Sequence, residues 1–160
     1  ILETSKLDMV SEIEQTEIVD LGQLLDDVIE PYQFIAKSHN VSISFDKHGS
    51  FAVEVPKKLF SKALSNVVSN AVNYTDNGKA IRIYFSNRNV IIENECAPIH
   101  EDILMHLSEP FYRPEFDHSH ESGGNGLGLY ITNKILSICG ITYEFKAMEH
   151  NDGMCFIIYL

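Results

Sequence analysis

Gly123-Gly124-Asn125-Gly126-Leu127-Gly128-Leu129 runs without a break into Tyr130-Ile131-Thr132-Asn133-Lys134-Ile135-Leu136-Ser137-Ile138-Cys139, an amphipathic segment that Gly140 stops. Glycines let the backbone come close to a ligand, the first N–H groups of a helix point outward, and the helix dipole favours negative charge there. A helix start of this composition can hold phosphates; it can equally be a plain glycine loop, so a second signal is needed to choose. No Gly-Lys-Ser/Thr follows, which sets a P-loop aside. The spacing Gly124-x-Gly126-x-Gly128 comes after the polar run 117–122 rather than after a strand, which sets a dinucleotide-binding fingerprint aside.

Working outward, 160 residues of which 44% are hydrophobic make one domain with a real core. The formal charge of −11 argues against a duplex nucleic-acid binder, which needs a basic footprint, and implies that a nucleotide would be met by local cations. Cys96, Cys139 and Cys155 are an odd set at unrelated spacings, as expected of reduced thiols in a cytosolic compartment. The apolar runs are too short to span a bilayer, so no membrane contact is expected of this chain. It opens at Ile1 rather than Met and reads as an excised piece.

Periodicity places the elements. Residues 1–14 read as the last turns of a helix whose partner has been cut away. Thr16 to Asp20 suits a short strand, and Asp20 can cap a helix carrying Leu21, Leu24, Leu25, Val28, Ile29, Tyr32, Phe34, Ile35 and Ala36. Val41 to Phe45 alternates cleanly and Phe51 to Val55 follows, together predicting a hairpin. Pro56 opens a long helix; Ala80 to Phe85 and Val90 to Glu93 form an antiparallel pair around Ser86-Asn87-Arg88-Asn89. Ala97 to Ser122 is irregular apart from a short helix over Glu101 to Leu107, and a segment of that length inside a compact domain is usually functional. A helix over Gly126 to Cys139 and a closing hairpin of Ile141 to Ala147 with Gly153 to Leu160 complete the chain. Helices mixed with strands that arrive in antiparallel pairs predict an α+β two-layer sandwich, with helices on one face of a mixed sheet.

The second signal lies on the helix that follows Pro56. Phe60, Ala63, Leu64, Val67, Val68, Ala71 and Val72 share a broad apolar face, and Asn66, Asn70 and Asn73 make a separate stripe. Asparagine is a poor helix former because its side chain competes for backbone hydrogen bonds. Either the stripe is an exposed polar flank or it is a wall of amides facing a polar ligand. An amide oxygen also suits a hard cation such as Mg²⁺, which takes the rest of its shell from waters and phosphates.

An Asn-lined helix, a Gly-x-Gly-x-Gly helix start and a long loop between them resemble the catalytic and ATP-binding domain of sensor histidine kinases. Leu64-Ser65-Asn66-Val67-Val68-Ser69-Asn70-Ala71-Val72-Asn73-Tyr74-Thr75 resembles that family's N box, Ser108-Glu109-Pro110-Phe111-Tyr112-Arg113 its F box, and Gly124-Asn125-Gly126-Leu127-Gly128-Leu129 its G2 box. The resemblance covers nearly the whole chain, with the three boxes in the family order and at the family spacing. Other ATPases of the wider GHKL superfamily share the N and glycine boxes, whereas Pro-Phe-Tyr-Arg points to the kinases. Asn94-Glu95-Cys96 included, the pattern is most similar to VanS-type kinases of Gram-positive bacteria.

The resemblance implies a Bergerat ATP-binding fold, a mixed but mostly antiparallel sheet packed against three helices. Residues 16–160 would be the catalytic domain, with an ATP lid at about 97–123 and residues 1–15 the remnant of a dimerisation and phosphoacceptor hairpin. Asn70 would hold Mg²⁺, the N–H groups of Gly124, Asn125, Gly126, Leu127, Gly128 and Leu129 would cradle the phosphates of ATP, and Arg113 would meet the γ-phosphate. Asn66, Asn73, Tyr74, Asn94 and Ile99 complete the implied nucleotide-binding set. The implied activity is protein-histidine kinase: transfer to a histidine on a helical hairpin, then relay to a response regulator. None of the seven histidines sits in a His-Glu-x-x-x-Pro-like context, so the acceptor is expected upstream of the piece. The chain itself is then a monomer, and its parent a homodimeric, membrane-anchored sensor with this domain in the cytoplasm.

Two positions depart from the family pattern. The G1 box is usually Asp-x-Gly-x-Gly-Ile, and here it reads Asn94-Glu95-Cys96-Ala97-Pro98-Ile99. Asn94 stands where an aspartate would accept from the adenine amino group; Glu93, one residue earlier, competes for that role. The glycines missing at Cys96 and Pro98 should alter the loop's freedom. Asn73 stands where a lysine or arginine is common, and leaves more of the neutralisation to Arg113 and Mg²⁺. Tyr74 either adds a hydroxyl hydrogen bond or packs. His118 and His120 among acids form a His-x-His that lacks further ligands for zinc and reads better as a solvated lid. The altered G1 box keeps a second reading open, a degenerate nucleotide-binding module that acts as a docking scaffold.

Overall fold

The computed structural model describes residues 15–106, 109 and 128–160. In chain order these form β1 (Glu17–Asp20), α1 (Leu21–Ser38), β2 (Ser42–Phe45), β3 (Ala52–Val55), α2 (Lys57–Tyr74), β4 (Ala80–Ser86), β5 (Asn89–Glu95), α3 (Glu101–His106), α4 (Gly128–Ile138), β6 (Thr142–Ala147) and β7 (Gly153–Tyr159). The expected helix remnant at the N-terminus, the F box from Pro110 to Arg113 and the glycines from Gly123 to Gly126 lie outside the described residues.

Asp20 starts α1 as its sequence suggests: its carboxylate accepts from the Gly22 and Gln23 N–H groups, satisfying two of the donors a helix start leaves open. The helix then runs through Pro31, which lacks the N–H that would bond one turn back, on the exposed side of the helix. Its inward face, Leu21, Leu24, Leu25, Val28, Ile29 and Ala36, is buried, and the Tyr32 hydroxyl meets Ser65 Oγ of α2 at 2.7 Å. In α2, with Pro56 at its cap, every residue of the predicted apolar face is buried, Phe60, Leu64 and Val68 completely.

Strands β2-β4-β5-β7-β6 form one five-stranded sheet, parallel only between β2 and β4. The expected α+β sandwich is therefore present, with three long helices and the six-residue α3 in the connection after β5. The predicted hairpin of β2 with β3 is not formed. β2 pairs in parallel with β4, Ile43 opposite Ile81, while β3 pairs antiparallel with β1 in a separate two-stranded sheet. Clean alternation specifies which face a strand buries but not its partner, and the residues between β2 and β4, α2 among them, supply the long crossover that a parallel pair needs. The other two predicted pairs, β4 with β5 and β6 with β7, are antiparallel as expected. Among the described residues no helix is long and apolar enough to cross a membrane.

Candidate nucleotide-binding site

Two helices and three strands converge on one cleft. α4 crosses α2 closely: Thr132 is fully buried and its hydroxyl reaches the Ala63 carbonyl at 3.4 Å. At the first residue of α4, a Cβ added to Gly128 would stand 3.5 Å from Asn70 Nδ2, 3.7 Å from Asn70 Oδ1 and 4.0 Å from Asn66 Cβ. The glycine thus leaves open the space in front of the amide stripe. It also places the helix start, whose first N–H groups have no partner within the helix, against that stripe.

Behind Asn70 lies a cavity lined by Val67, Asn70, Ala71 and Tyr74 of α2, Ile92 and Asn94 of β5, Leu129 of α4, Phe145 of β6, and Met154 and Phe156 of β7. Its enclosed part measures about 10 Å³, room for roughly one water, and with its open mouth the depression reaches about 260 Å³. Phe145 and Phe156 meet edge to face at 5.6 Å, and Tyr143 stacks on Phe156 at 5.1 Å, so the far wall is aromatic.

Alternation along β5 separates Glu93 from Asn94. Val90, Ile92 and Asn94 face the helices and are buried. Glu93 points to the opposite face, where Arg82 pairs with it at 3.1 Å and the Tyr84 hydroxyl donates to it at 3.0 Å. Burial first, and then that bond, push the Tyr84 hydroxyl up to about 12. Asn94 is only 5% exposed, and its Nδ2 has no hydrogen-bond partner; the same holds for the buried Nδ2 atoms of Asn66 and Asn70. Unpaired buried amide donors are costly. Two of them, on Asn70 and Asn94, belong to residues that line the cavity, and the third, on Asn66, lies one turn before Asn70 on α2.

The segment after β5 is held in place by its backbone. Asp76 N–H donates to the Glu95 carbonyl at 3.1 Å, Ala97 N–H to Asp76 Oδ2 at 2.8 Å, Cys96 N–H to the Asp152 carbonyl at 3.1 Å, and Ile99 N–H to Asn151 Oδ1 at 3.4 Å. Glu95 Oε1 accepts from Ala80 N–H at 2.9 Å. Burial above all, with Asp76 and Asp152 adding, pushes the Cys96 thiol up to about 12, so it stays a neutral packing group.

Of the residues singled out in sequence, Asn70, Tyr74, Asn94 and Leu129 line the cavity, and Asn66 and Gly128 adjoin it. Tyr74 is buried, 4% exposed, within the core cluster. Asn73 is half-buried and Ile99 is a buried core residue; neither lines the cavity. Arg113, Gly124, Asn125, Gly126 and Leu127 lie outside the described residues, as do His118 and His120. Among the described residues no group of three or more His, Cys, Asp or Glu is arranged to hold a metal ion. Sequence reasoning missed Phe145, Met154 and Phe156, which read as ordinary strand core, and Asp76 and Asn151, whose Asp-Asn-Gly and Asn-Asp-Gly settings signalled only turns.

Residues 54–160 match the family model for histidine kinase-, DNA gyrase B- and HSP90-like ATPases. The chain is 33% identical over its whole length to the sensor histidine protein kinase HK06 of Streptococcus pneumoniae, of which it covers 35%. It is 32% identical over 144 residues to the sensor protein VanSB of Enterococcus faecalis, covering 32% of that protein and 88% of this chain. The chain thus spans about a third of the length of these curated relatives. Among solved structures, the catalytic domain of histidine kinase ThkA superposes with a TM-score of 0.72 at 23% identity, covering 89% of this chain and 93% of that one. With its Asn-lined helix, glycine helix start and five-stranded sheet, the chain belongs to the histidine kinase-, DNA gyrase B- and HSP90-like ATPase family, and its relatives there are sensor histidine kinases.

Proposed function

We propose that this chain is the ATP-binding catalytic domain of a two-component sensor histidine kinase, transferring the γ-phosphate of ATP to a histidine on a helical hairpin outside it. The observation that carries this reading is the convergence of the Asn70 amide, the buried Asn94 amide and the glycine start of α4 on one cleft, in a chain whose relatives are sensor histidine kinases. In phosphoryl transfer the protein mainly positions the nucleotide and stabilises charge.

Val67, Ala71, Ile92, Leu129 and Met154 would take the faces of the base and keep water from it, while Asn94 reads its edge. The N–H groups of Gly128 and Leu129, with those of Gly124 to Leu127 before them, would hold phosphate oxygens, and Arg113 would meet the γ-phosphate. Asn70 fits Mg²⁺: its amide oxygen is a hard ligand, and Gly128 keeps a methyl group out of the space before it. When bound, Mg²⁺ would neutralise charge on the phosphates. Asn66, with its Nδ2 unpaired on the same helix, would donate to the ligand shell rather than to protein.

On this reading residues 1–15 belong to the hairpin, the segment at 97–123 is the ATP lid, and the parent is a homodimeric, membrane-anchored sensor that phosphorylates a response regulator. ThkA supports the last point, having been solved in complex with the response regulator TrrA. A calorimetric titration with ATP, with and without Mg²⁺, tests the reading. Binding in the micromolar range is expected, strengthened by Mg²⁺ and with that strengthening lost in Asn70→Ala. No binding at millimolar ATP would overturn it in favour of a docking module.

A further inference from the structure

Resting on the reading of the cavity as a base pocket, we propose that it is tolerant at the purine 6-position and takes 6-oxopurine nucleoside triphosphates, those of hypoxanthine and guanine, alongside ATP. The reason is the polarity of the groups available to read the base. Of the carboxylates close to the end of β5, Glu93 is committed to Arg82 and Tyr84 on the opposite face, Glu95 to the Ala80 N–H and Asp76 to the Ala97 N–H, while Asp152, whose backbone carbonyl accepts from the Cys96 N–H, does not line the cavity. No charged side chain lines the cavity among the described residues. Apart from Asn70 on the phosphate side, the lining side chain with an unpaired polar atom is Asn94.

The Asn94 amide is ambivalent. A carboxylate only accepts; it matches the adenine amino group and repels the carbonyl oxygen of a 6-oxopurine. A primary amide carries one acceptor and one donor, and a hydroxyl is both at once. With Oδ1 toward the exocyclic amino group, Nδ2 can donate to adenine N1. Turned half a revolution about Cβ–Cγ, the same amide donates from Nδ2 to O6 and accepts from N1–H. Asn94 Nδ2 has no partner in the protein, so no bond to it holds the amide in one of these orientations. Among the described residues the site therefore lacks the fixed negative charge that would turn a 6-oxo edge away.

Competitive titration of the 160-residue chain with Mg²⁺–ATP and Mg²⁺–inosine triphosphate tests this. The inosine nucleotide carries the 6-oxo edge without the 2-amino group of guanine, so the pair isolates edge polarity from size. Inosine triphosphate is expected within about tenfold of ATP, since one neutral hydrogen bond decides little more. Asn94→Asp is expected to raise the preference for ATP by roughly tenfold to hundredfold, the worth of a charge-assisted bond. Asn94→Ser, which keeps an ambivalent group, should leave the low preference in place even if the buried aspartate impairs folding. ATP binding with inosine triphosphate more than a hundredfold weaker in the unmodified chain would overturn the proposal and leave the nucleotide reading standing. Binding of neither nucleotide would overturn both.

Discussion

Gly153 is where the fold and the site are joined most tightly, and Gly153→Ala should show it. Gly153 pairs with Glu95 at the head of β7, and a Cβ built on it would lie 2.3 Å from the Asn94 carbonyl oxygen, 3.1 Å from the Asn94 carbonyl carbon and 2.7 Å from Met148 Sδ. The thioether can swing aside, but the Asn94 carbonyl is backbone in the middle of the sheet. To restore even the tightest tolerable contact, β5 and β7 must separate by roughly 0.7 Å at this point. Overpacking against an unyielding neighbour costs about 3 kcal/mol, the upper part of the usual range. In a domain of this size each kcal/mol is worth roughly 2–4 °C, so the melting temperature should fall by about 6–12 °C.

Gly140→Ala is the control. Gly140 has φ +70° with nothing within 4 Å, so its substitution adds only the left-handed backbone penalty of about 1 kcal/mol. Thermal melts followed by far-UV circular dichroism compare the two. If Gly153→Ala melts no lower than Gly140→Ala, the close approach of β7 to Asn94 is not a constraint and the reasoning fails. ATP affinity should fall with the first variant and hold with the second, because only the first moves the strand that carries Asn94.

Gly128→Ala should behave in the opposite way, since its Cβ meets only ordinary contacts at 3.5–4.0 Å and alanine suits a helix better: the melting temperature should not drop, while Mg²⁺–ATP affinity falls at least about tenfold. An unchanged affinity in calorimetry would remove Gly128 from the site. Asp20→Ala removes the cap of α1 and should cost about 1 kcal/mol, or roughly 2–4 °C, in a thermal melt without altering nucleotide binding. Alkaline pH should destabilise the fold. Burial raises Cys96 to about 12 and Cys155 to about 11 from 9.0, and Tyr84 to about 12 from 10.0. The unfolded chain then sheds protons that the folded one keeps, and stability falls as pH rises from about 9 toward 11. A urea midpoint that stays level over that interval would refute the assignment, as would fast alkylation of Cys96 in the native protein at pH 8.

What could be read from the sequence was local. Periodicity located the apolar face of α2, and the asparagine and glycine patterns singled out Asn70 and Gly128, which the fold brings together, because each of these is written within one element. Partners were not legible: β2 and β3 alternate as a hairpin would, and only the finished sheet sends one to β4 and the other to β1. Glu93 and Asn94 had to face opposite sides of β5, and the signal that separates them is the charge of each parity: Val90, Ile92 and Asn94 carry none, whereas Asn89, Ile91, Glu93 and Glu95 include two carboxylates, so the parity of Asn94 is the one that turns inward.

The altered G1 box shows how a departure from a family pattern becomes legible only in three dimensions. Glycines at positions 96 and 98 would supply backbone freedom, and their replacement by Cys96 and Pro98 suggested a changed loop. The described chain does not use that freedom: left-handed φ values at non-glycine residues occur at Asn40, Asn87, Arg88 and Asn151, and not between Glu95 and Ile99. The segment is instead pinned by backbone donors at Cys96, Ala97 and Ile99, whose acceptors are Asp152, Asp76 and Asn151. Pro98, which has no N–H to offer, falls at the one interior position of that run where no bond is made, and Cys96 fills space in the core as a neutral thiol. Two of the three clamps come from the turn before β7 and one from the loop after α2. Asn151, which supplies one of these acceptors, itself has φ 51°, in the left-handed region that asparagine adopts more readily than most non-glycine residues. Asn94 therefore stands at the end of a strand whose continuation is fixed by its neighbours, and that fixed backbone holds its buried amide in the wall of the cavity.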